Sequence, residues 1–384
     1  MSTKARKAAV DIGNDAVKSY FGELTSDQGL YIPNIIAEEA EDRKTIQIEK
    51  NLLDGIHVQI VSGALSEGKG IYVVGNLATR YENSDELTPD NKKSENDQSL
   101  ILLLTTLAID AARHIKESKG IVEASYNLST GLPLGESKLG KRPEFRDKLI
   151  NAQHEVKFLQ TPEIGGKTVR IRFEDVLVNT EGAAALFDII TSDDGSVRNE
   201  ELAEQTGLIT DIGGLSTDSA IIMPGMDIDN NNSVGIREGV SPYLDAIIDR
   251  VQRELDYSFR NRQELVEVLT DERVDRRNHV FINGNRTSIQ TIVDEELIRL
   301  AREEYKHIRN LWTKVSSIQY AFLIGGGSLL LKPYIEELNK KQKGYPLRFV
   351  DSRDSVWMIA RAYFKLLNFH MSQQGSSQEV AATE

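Results

Sequence analysis

Leu208-Ile209-Thr210-Asp211-Ile212 reads as an apolar strand that runs into the turn Gly213-Gly214-Leu215-Ser216-Thr217-Asp218, and Ser219 to Met223 leaves it as a second strand. Glycine lets a backbone come close to a ligand, and a tight turn aims successive N–H groups at one anion. An aspartate at the strand end before such a turn is placed to hold Mg²⁺, usually through water, because that ion dehydrates reluctantly. The same grammar occurs at the N-terminus. Ala8 to Ile12 ends in Asp11-Ile12-Gly13-Asn14-Asp15, and Val17 to Leu24 resumes an extended pattern, with Lys18 in reach of a bound phosphate. One Asp-x-Gly turn is an ordinary hairpin. Two in separate halves, followed by Leu323-Ile324-Gly325-Gly326-Gly327-Ser328, are an internal repeat at a domain-sized interval.

Around these turns the chain alternates strands and helices. A helix is expected from about Ser99 to Glu117 with Asp97 as its cap, then a strand over Val122 to Thr130. Strands follow within Thr168 to Asn179, and Glu181 to Ile190 reads as helical. Helical stretches are expected over Pro242 to Tyr257, Gln263 to Leu269 and Ser288 to Val315, and again after Pro333. A last helix spans Ser355 to Leu367, and the Ser-, Gln- and Ala-rich tail 372–384 is expected to be disordered.

Composition narrows the class. A net charge of -13 repels the phosphate backbone of nucleic acid, so direct DNA or RNA binding is not expected. The absence of cysteine excludes disulfides, iron–sulfur clusters and thiolate zinc sites. The apolar run after Lys4, Arg6 and Lys7 stops at Asp11, too short for a signal peptide. The run Leu100 to Ile109 soon meets Asp110 and Arg113, which argues for a buried helix rather than a membrane span. A soluble, cytoplasmic protein is expected.

Together the motifs resemble the actin/Hsp70/sugar-kinase superfamily. Asp11 to Lys18 resembles its first phosphate loop, Asp211 to Asp218 its second, and Leu323 to Ser328 its adenosine motif. Thr180-Glu181-Gly182-Ala183-Ala184 is similar to the helix joining the domains, and Ser355 to Lys365 to a second connecting helix, with Ala362 where glycine often stands. Within the superfamily the chain is closest to bacterial actin-like plasmid-segregation proteins of the ParM type. Ile236-Arg237-Glu238-Gly239-Val240-Ser241 resembles the start of their fourth subdomain.

The resemblance implies an α/β, two-lobed actin-like fold with a nucleotide cleft between duplicated mixed-sheet domains. Domain I would hold residues 1–190 with the C-terminal helix 350–371, and domain II residues 191–349 with a helical subdomain at about 240–315. It implies ATP and Mg²⁺ as ligands, with Asp11 and Asp211 at the metal. Gly13, Asn14, Asp15, Lys18, Gly213, Gly214, Leu215, Ser216 and Thr217 would lie around the phosphates, Gly325, Gly326, Gly327 and Ser328 against the nucleoside, and Glu238 at the ribose. Glu181 is where relatives polarise the attacking water. ATP-driven assembly into filaments, and a small DNA-binding adaptor on plasmid DNA, are also implied. A non-polymerising ATPase or small-molecule kinase of the same fold remains open, as does a chaperone-like module that uses nucleotide as a clamp.

Several patterns fail on their chemistry. Gly135 to Arg142 is one residue short of a P-loop, and Arg142 stands where a hydroxyl must meet Mg²⁺. Asp227 to Asn231 with Glu238 has the spacing of a calcium loop, but Asn232 replaces the turn glycine.

Overall fold

The computed structural model describes residues 5–24, 29–44, 49–86, 92–342, 344–350 and 352–381. The chain divides into two compact units, Met1–Glu200 with Trp357–Glu384, and Glu201–Val356.

The first unit is built on ten strands: β1 (Arg6–Ile12), β2 (Ala16–Phe21), β3 (Leu30–Pro33), β4 (Ile35–Glu38), β5 (Ile56–Ser62), β6 (Lys69–Val74), β7 (Asp85–Glu86), β8 (Ile121–Leu132), β9 (His154–Phe158) and β10 (Thr168–Thr180). They form one sheet in the order β3-β2-β1-β8-β10-β9-β5-β6-β4-β7. The pairs β1–β8 and β8–β10 are parallel. That central position explains why β8 is buried over most of its length instead of alternating. The helices are α1 (Asp97–His114), α2 (Leu134–Lys138), α3 (Lys141–Ile150) and α4 (Ala183–Ile190), with α5 (Glu200–Ala203) at the passage to the second unit.

Helix α1 is buried on every face from Gln98 to Ala112, which accounts for its apolar run. Among the described residues no helix is long and apolar enough to cross a membrane. Its cap is Asn96, not Asp97. The extended Asn96 accepts the Gln98 N–H at 2.7 Å, while Asp97 is already helical and accepts from Ser66 N at 2.9 Å. The one acid on the buried part of α1, Asp110, is satisfied from two sides. Arg6 of β1 donates to it through Nε and Nη2 at 2.9 and 2.8 Å, and the Tyr126 hydroxyl of β8 donates at 2.7 Å.

The second unit carries β11 (Gly207–Ile212), β12 (Thr217–Ile222), β13 (Val234–Ile236), the hairpin β14 (His279–Ile282) and β15 (Asn285–Ser288), β16 (Tyr320–Ile324) and β17 (Leu347–Phe349). Its main sheet runs β13-β12-β11-β16-β17, with β16 parallel to both β11 and β17. Helices α6 (Ser241–Leu255), α7 (Arg262–Leu269), α8 (Gln290–Lys314) and α9 (Gly325–Lys340) supply the rest of its core. The buried stripe Leu297, Leu300, Ala301, Tyr305 and Ile308 recurs at helical spacing along α8.

Two expectations change here. The triple glycine is not a loop before a helix: α9 begins at Gly325, and Pro333 lies inside it. The final helix, α10 (Ser352–Ala381), continues through most of the segment expected to be disordered. Ser, Gln, Glu and Ala are tolerated in a helix, and no proline interrupts them. Residues 382–384 lie outside the described residues. Asp188 of α4 binds α10 through Arg361 at 2.7 Å and Lys365 at 2.9 Å.

Candidate functional site

In the first unit β1 and β2 pair antiparallel, with Asp11 opposite Lys18 and Ile12 opposite Val17, leaving Gly13-Asn14-Asp15 as the turn. Gly13 is required by close approach: a Cβ there would lie 2.7 Å from Ala16 O and 3.0 Å from Lys18 Nζ. The lysine therefore curls over the turn, and its ammonium sits 3.8 Å from the buried Asp11 carboxylate. The carbonyls of the turn point into the protein. Asn34 donates its side-chain amide to Gly13 O at 2.7 Å and its backbone N–H to Asp15 O at 2.9 Å. Gln98 of α1 in turn holds Asn34 through Oδ1 at 2.8 Å.

The same arrangement recurs in the second unit with different partners. Asp211 closes β11 opposite Asp218, and Gly213 N donates to Ser216 O at 2.9 Å to shape the turn. Val240 N and Ser241 N donate to Gly213 O and Gly214 O at 3.1 and 2.8 Å. With these carbonyls occupied, the amides of Gly214, Leu215 and Ser216 donate to no protein acceptor among the described residues. Successive free N–H groups on a glycine turn are the donor set an anion requires. Gly239 is packed so tightly on this turn that a Cβ would lie 2.4 Å from Gly214 O.

The glycines after β16 join the same cluster. Gly325 has φ +81°, and a Cβ on it would lie 2.3 Å from Asp211 Oδ1 and 2.6 Å from Ile212 O. A Cβ on Gly327 would meet Ile212 O at 2.7 Å and Val240 Cγ1 at 2.8 Å, whereas Gly326 faces open space. Ser328 turns inward and donates to Gly325 O at 2.9 Å, so its hydroxyl braces the helix start. The structure thus brings Asp211, Gly213, Gly214 and Gly325–Ser328 together within one unit. Residues 9–183 match a family model described as the N-terminal domain of actin-like proteins, and residues 206–350 match the Alp7A C-terminal domain.

The chain belongs to the actin-like proteins. Solved structures agree on the fold of this actin-like chain. The crystal structure of actin-like protein Alp7A superposes with a TM-score of 0.78 at 17% identity, covering 98% of this chain and 99% of that one. ParM of Bacillus thuringiensis with ATP gives 0.73 at 22% identity, covering 97% and 100%. A subunit of a 15-stranded ParM filament from Clostridium botulinum gives 0.70 at 18% identity, covering 95% and 99%. No curated protein matches the chain in sequence.

Two contacts join a motif residue to a residue outside every motif. Glu181 follows β10, with its N–H bonded to Leu132 O at 2.9 Å, and its carboxylate is met by Lys93 at 2.8 and 2.9 Å. Glu304 of α8 is fully buried and accepts from the Thr217 hydroxyl at 2.8 Å, pinning the exit of the second turn. Its other carboxyl oxygen has no hydrogen-bond partner among the described residues. Burial, reinforced by the charges of Glu238 and Glu303, pushes the Glu304 carboxyl up to about 7. Glu304 occupies the buried stripe of α8, and an acid at such a position was the available signal. Lys93 had none, since it precedes α1 in a polar segment without a motif.

Proposed function

We propose that this actin-like chain binds Mg-ATP through both Asp-containing turns, hydrolyses it with Glu181, and assembles into filaments that move plasmid DNA in the cytoplasm. The observation that carries the nucleotide reading is the packing of the Gly325 turn onto Asp211 and Ile212, beside amides left free at Gly214, Leu215 and Ser216. The turn is held in place through Gly325 and Gly327, where no side chain fits, and its free amides are the donors an anion requires.

The donors fit a hard divalent cation. Asp11 and Asp211 each lie one residue before the end of a strand that runs into a glycine turn. Among the described residues no cluster of three metal-type side chains forms a protein-made cage. A lone carboxylate of this kind suits Mg²⁺, which keeps much of its shell as water and phosphate. When bound, the ion offsets charge on the phosphates. The turn amides and the Lys18 ammonium orient and neutralise the same groups, Gly325–Ser328 take the nucleoside, and Glu238 takes the ribose. Glu181 orients the attacking water.

Assembly rests on likeness to actins that include a ParM filament. A small DNA-binding adaptor is the partner that links such a filament to its cargo, since a chain with net charge -13 is unsuited to binding DNA itself. The test is sedimentation over a concentration series with Mg-ATP, Mg-ADP and no nucleotide, with phosphate release in parallel. A pellet appearing above a threshold concentration only with Mg-ATP, with hydrolysis rising alongside, is expected. Steady hydrolysis without a pellet would refute assembly, and no ATP-dependent signal at all would refute the nucleotide reading.

A further inference from the structure

Lys93 lies outside every recognisable motif, yet its Nζ is 2.8 Å from Glu181 Oε1 and 2.9 Å from Oε2. The lysine side chain is 6% exposed and the glutamate 12%, so the pair is largely withdrawn from water. The lysine is delivered there by a fixed turn. Glu136 of α2, itself buried, accepts the N–H groups of Lys93 and Ser94 at 2.9 and 3.0 Å and also the Ser94 hydroxyl. The N–H groups of Glu95 and Asn96 close back on Lys92 O, and Asn96 then caps α1. A long ammonium side chain loses much rotamer freedom when held in this way, so its backbone anchor reduces what the pair itself must offset.

We propose that Lys93 is a positioning residue for hydrolysis: it holds the Glu181 carboxylate in one orientation and keeps it charged beside the phosphates. This rests on the hydrolytic reading of Glu181. Bound phosphoryl oxygens repel a carboxylate and drive it toward its neutral form, which orients water less well; an ammonium at hydrogen-bond distance opposes that. Charged groups on the elements around the pair include Glu136, behind the backbone of the same turn, Lys138 at the end of α2, and Glu95, which lies between Lys92 and Lys141 of α3.

The test follows phosphate release by the full chain at saturating Mg-ATP, from about pH 6 to about pH 9, for wild type, Lys93→Met and Glu181→Gln. Lys93→Met is expected to bind ATP like wild type and to turn over more slowly on the acid side of the profile, by up to about tenfold. Its rate should recover as pH rises, with the acid limb displaced upward by about one pH unit, the size of one lost opposite charge. The double variant should be no slower than Glu181→Gln alone. A wild-type rate and profile in Lys93→Met, with Glu181→Gln slow, would overturn the role of Lys93 and leave that of Glu181. An equal loss at every pH, or a faster rate, would overturn it too. A wild-type rate in Glu181→Gln would instead remove the hydrolytic reading beneath it. If Lys93→Met does not fold, Lys93→Gln keeps a donor without the charge and is judged by the same profile.

Discussion

Gly325 and Gly326 are neighbours with opposite constraints, and exchanging each for alanine tests the architecture of the second turn. At Gly325 the backbone is left-handed at φ +81°, which costs an L-residue about 1–2 kcal/mol. The added Cβ would also stand 2.6 Å from Ile212 O, a backbone atom that yields only if β11 moves. Overpacking of that kind costs about 1–3 kcal/mol, so Gly325→Ala should destabilise the second unit by about 2–5 kcal/mol. At roughly 2–4 °C per kcal/mol for a domain of this size, its melting transition should fall by roughly 4–20 °C without nucleotide. Gly326→Ala meets nothing within 4 Å in the first turn of α9, and should be neutral or stabilising by about 0.4–1 kcal/mol. The assay is thermal and urea unfolding of the nucleotide-free proteins, followed by ATP titration. Gly325→Ala should also lose affinity, because the displaced atom nearest its Cβ is Asp211 Oδ1. Equal melting of the two variants would refute the claim that glycine locks this turn onto Asp211.

Asp211→Ala should abolish Mg-dependent ATP binding, read by calorimetry with and without the cation; unchanged affinity would remove Asp211 from the metal site. Glu181→Ala should keep ATP binding and slow hydrolysis by about 10²-fold, the scale of a positioning or general-base group, and a wild-type phosphate-release rate would dismiss that role. Asp188→Ala should destabilise the first unit by about 1.5–3 kcal/mol in urea titration, because it frees Arg361 and leaves the buried Lys365 ammonium with only Thr191 O at 3.0 Å, the Asp188 backbone O at 3.3 Å and the more distant Asp193 at 3.6 Å, while Lys365→Met alongside should recover part of the loss. Glu304 should make stability depend on pH. Its folded value of about 7 lies above the ordinary 4.5, so its favourable contribution is complete below about 4.5 and is lost as pH rises through about 7. Glu304→Gln, which can still accept from Thr217, should flatten that decline of a few kcal/mol; an unaltered pH profile would show that the acid does not titrate there.

The fold was legible because its decisive signals are local. Strand, aspartate and glycine turn are adjacent in sequence, so both hairpins could be read from periodicity and turn chemistry alone. The burial of α1 was also readable, since a run from Leu100 to Ile109 without charge has nowhere to go but a core. Where local signals compete, sequence alone does not fix the boundary. Asn96 and Asp97 are both good caps, and only the Ser66 N–H that draws off Asp97 decides between them. Propensity places the start of the helix after β16 beyond Pro333, because proline and three glycines are breakers, whereas α9 begins at Gly325. The turn they occupy is held by tertiary contacts to Ile212 and Val240.

The site divides along the same line. Glycines announce themselves, but the groups that brace a glycine turn are chosen by distance in space. The two turns solve one problem, hiding carbonyls so that amides face outward, with unrelated parts: side-chain and backbone groups of Asn34 in the first, backbone N–H groups of Val240 and Ser241 in the second. No sequence comparison between the two halves would pair those residues, because they share a task and not a chemistry. Lys93 and Glu304 follow from the same logic. Each touches a motif residue from 88 or 87 positions away, so nothing in the spacing around Glu181 or Thr217 foreshadows it. Buried charge is what makes such partners necessary: an acid withdrawn from water must be paired, as Glu181 is by Lys93, or carry a raised pKa, as Glu304 does. In this chain a motif carboxylate takes the first course and a supporting one the second, which is why their substitutions should differ in pH dependence as well as in size.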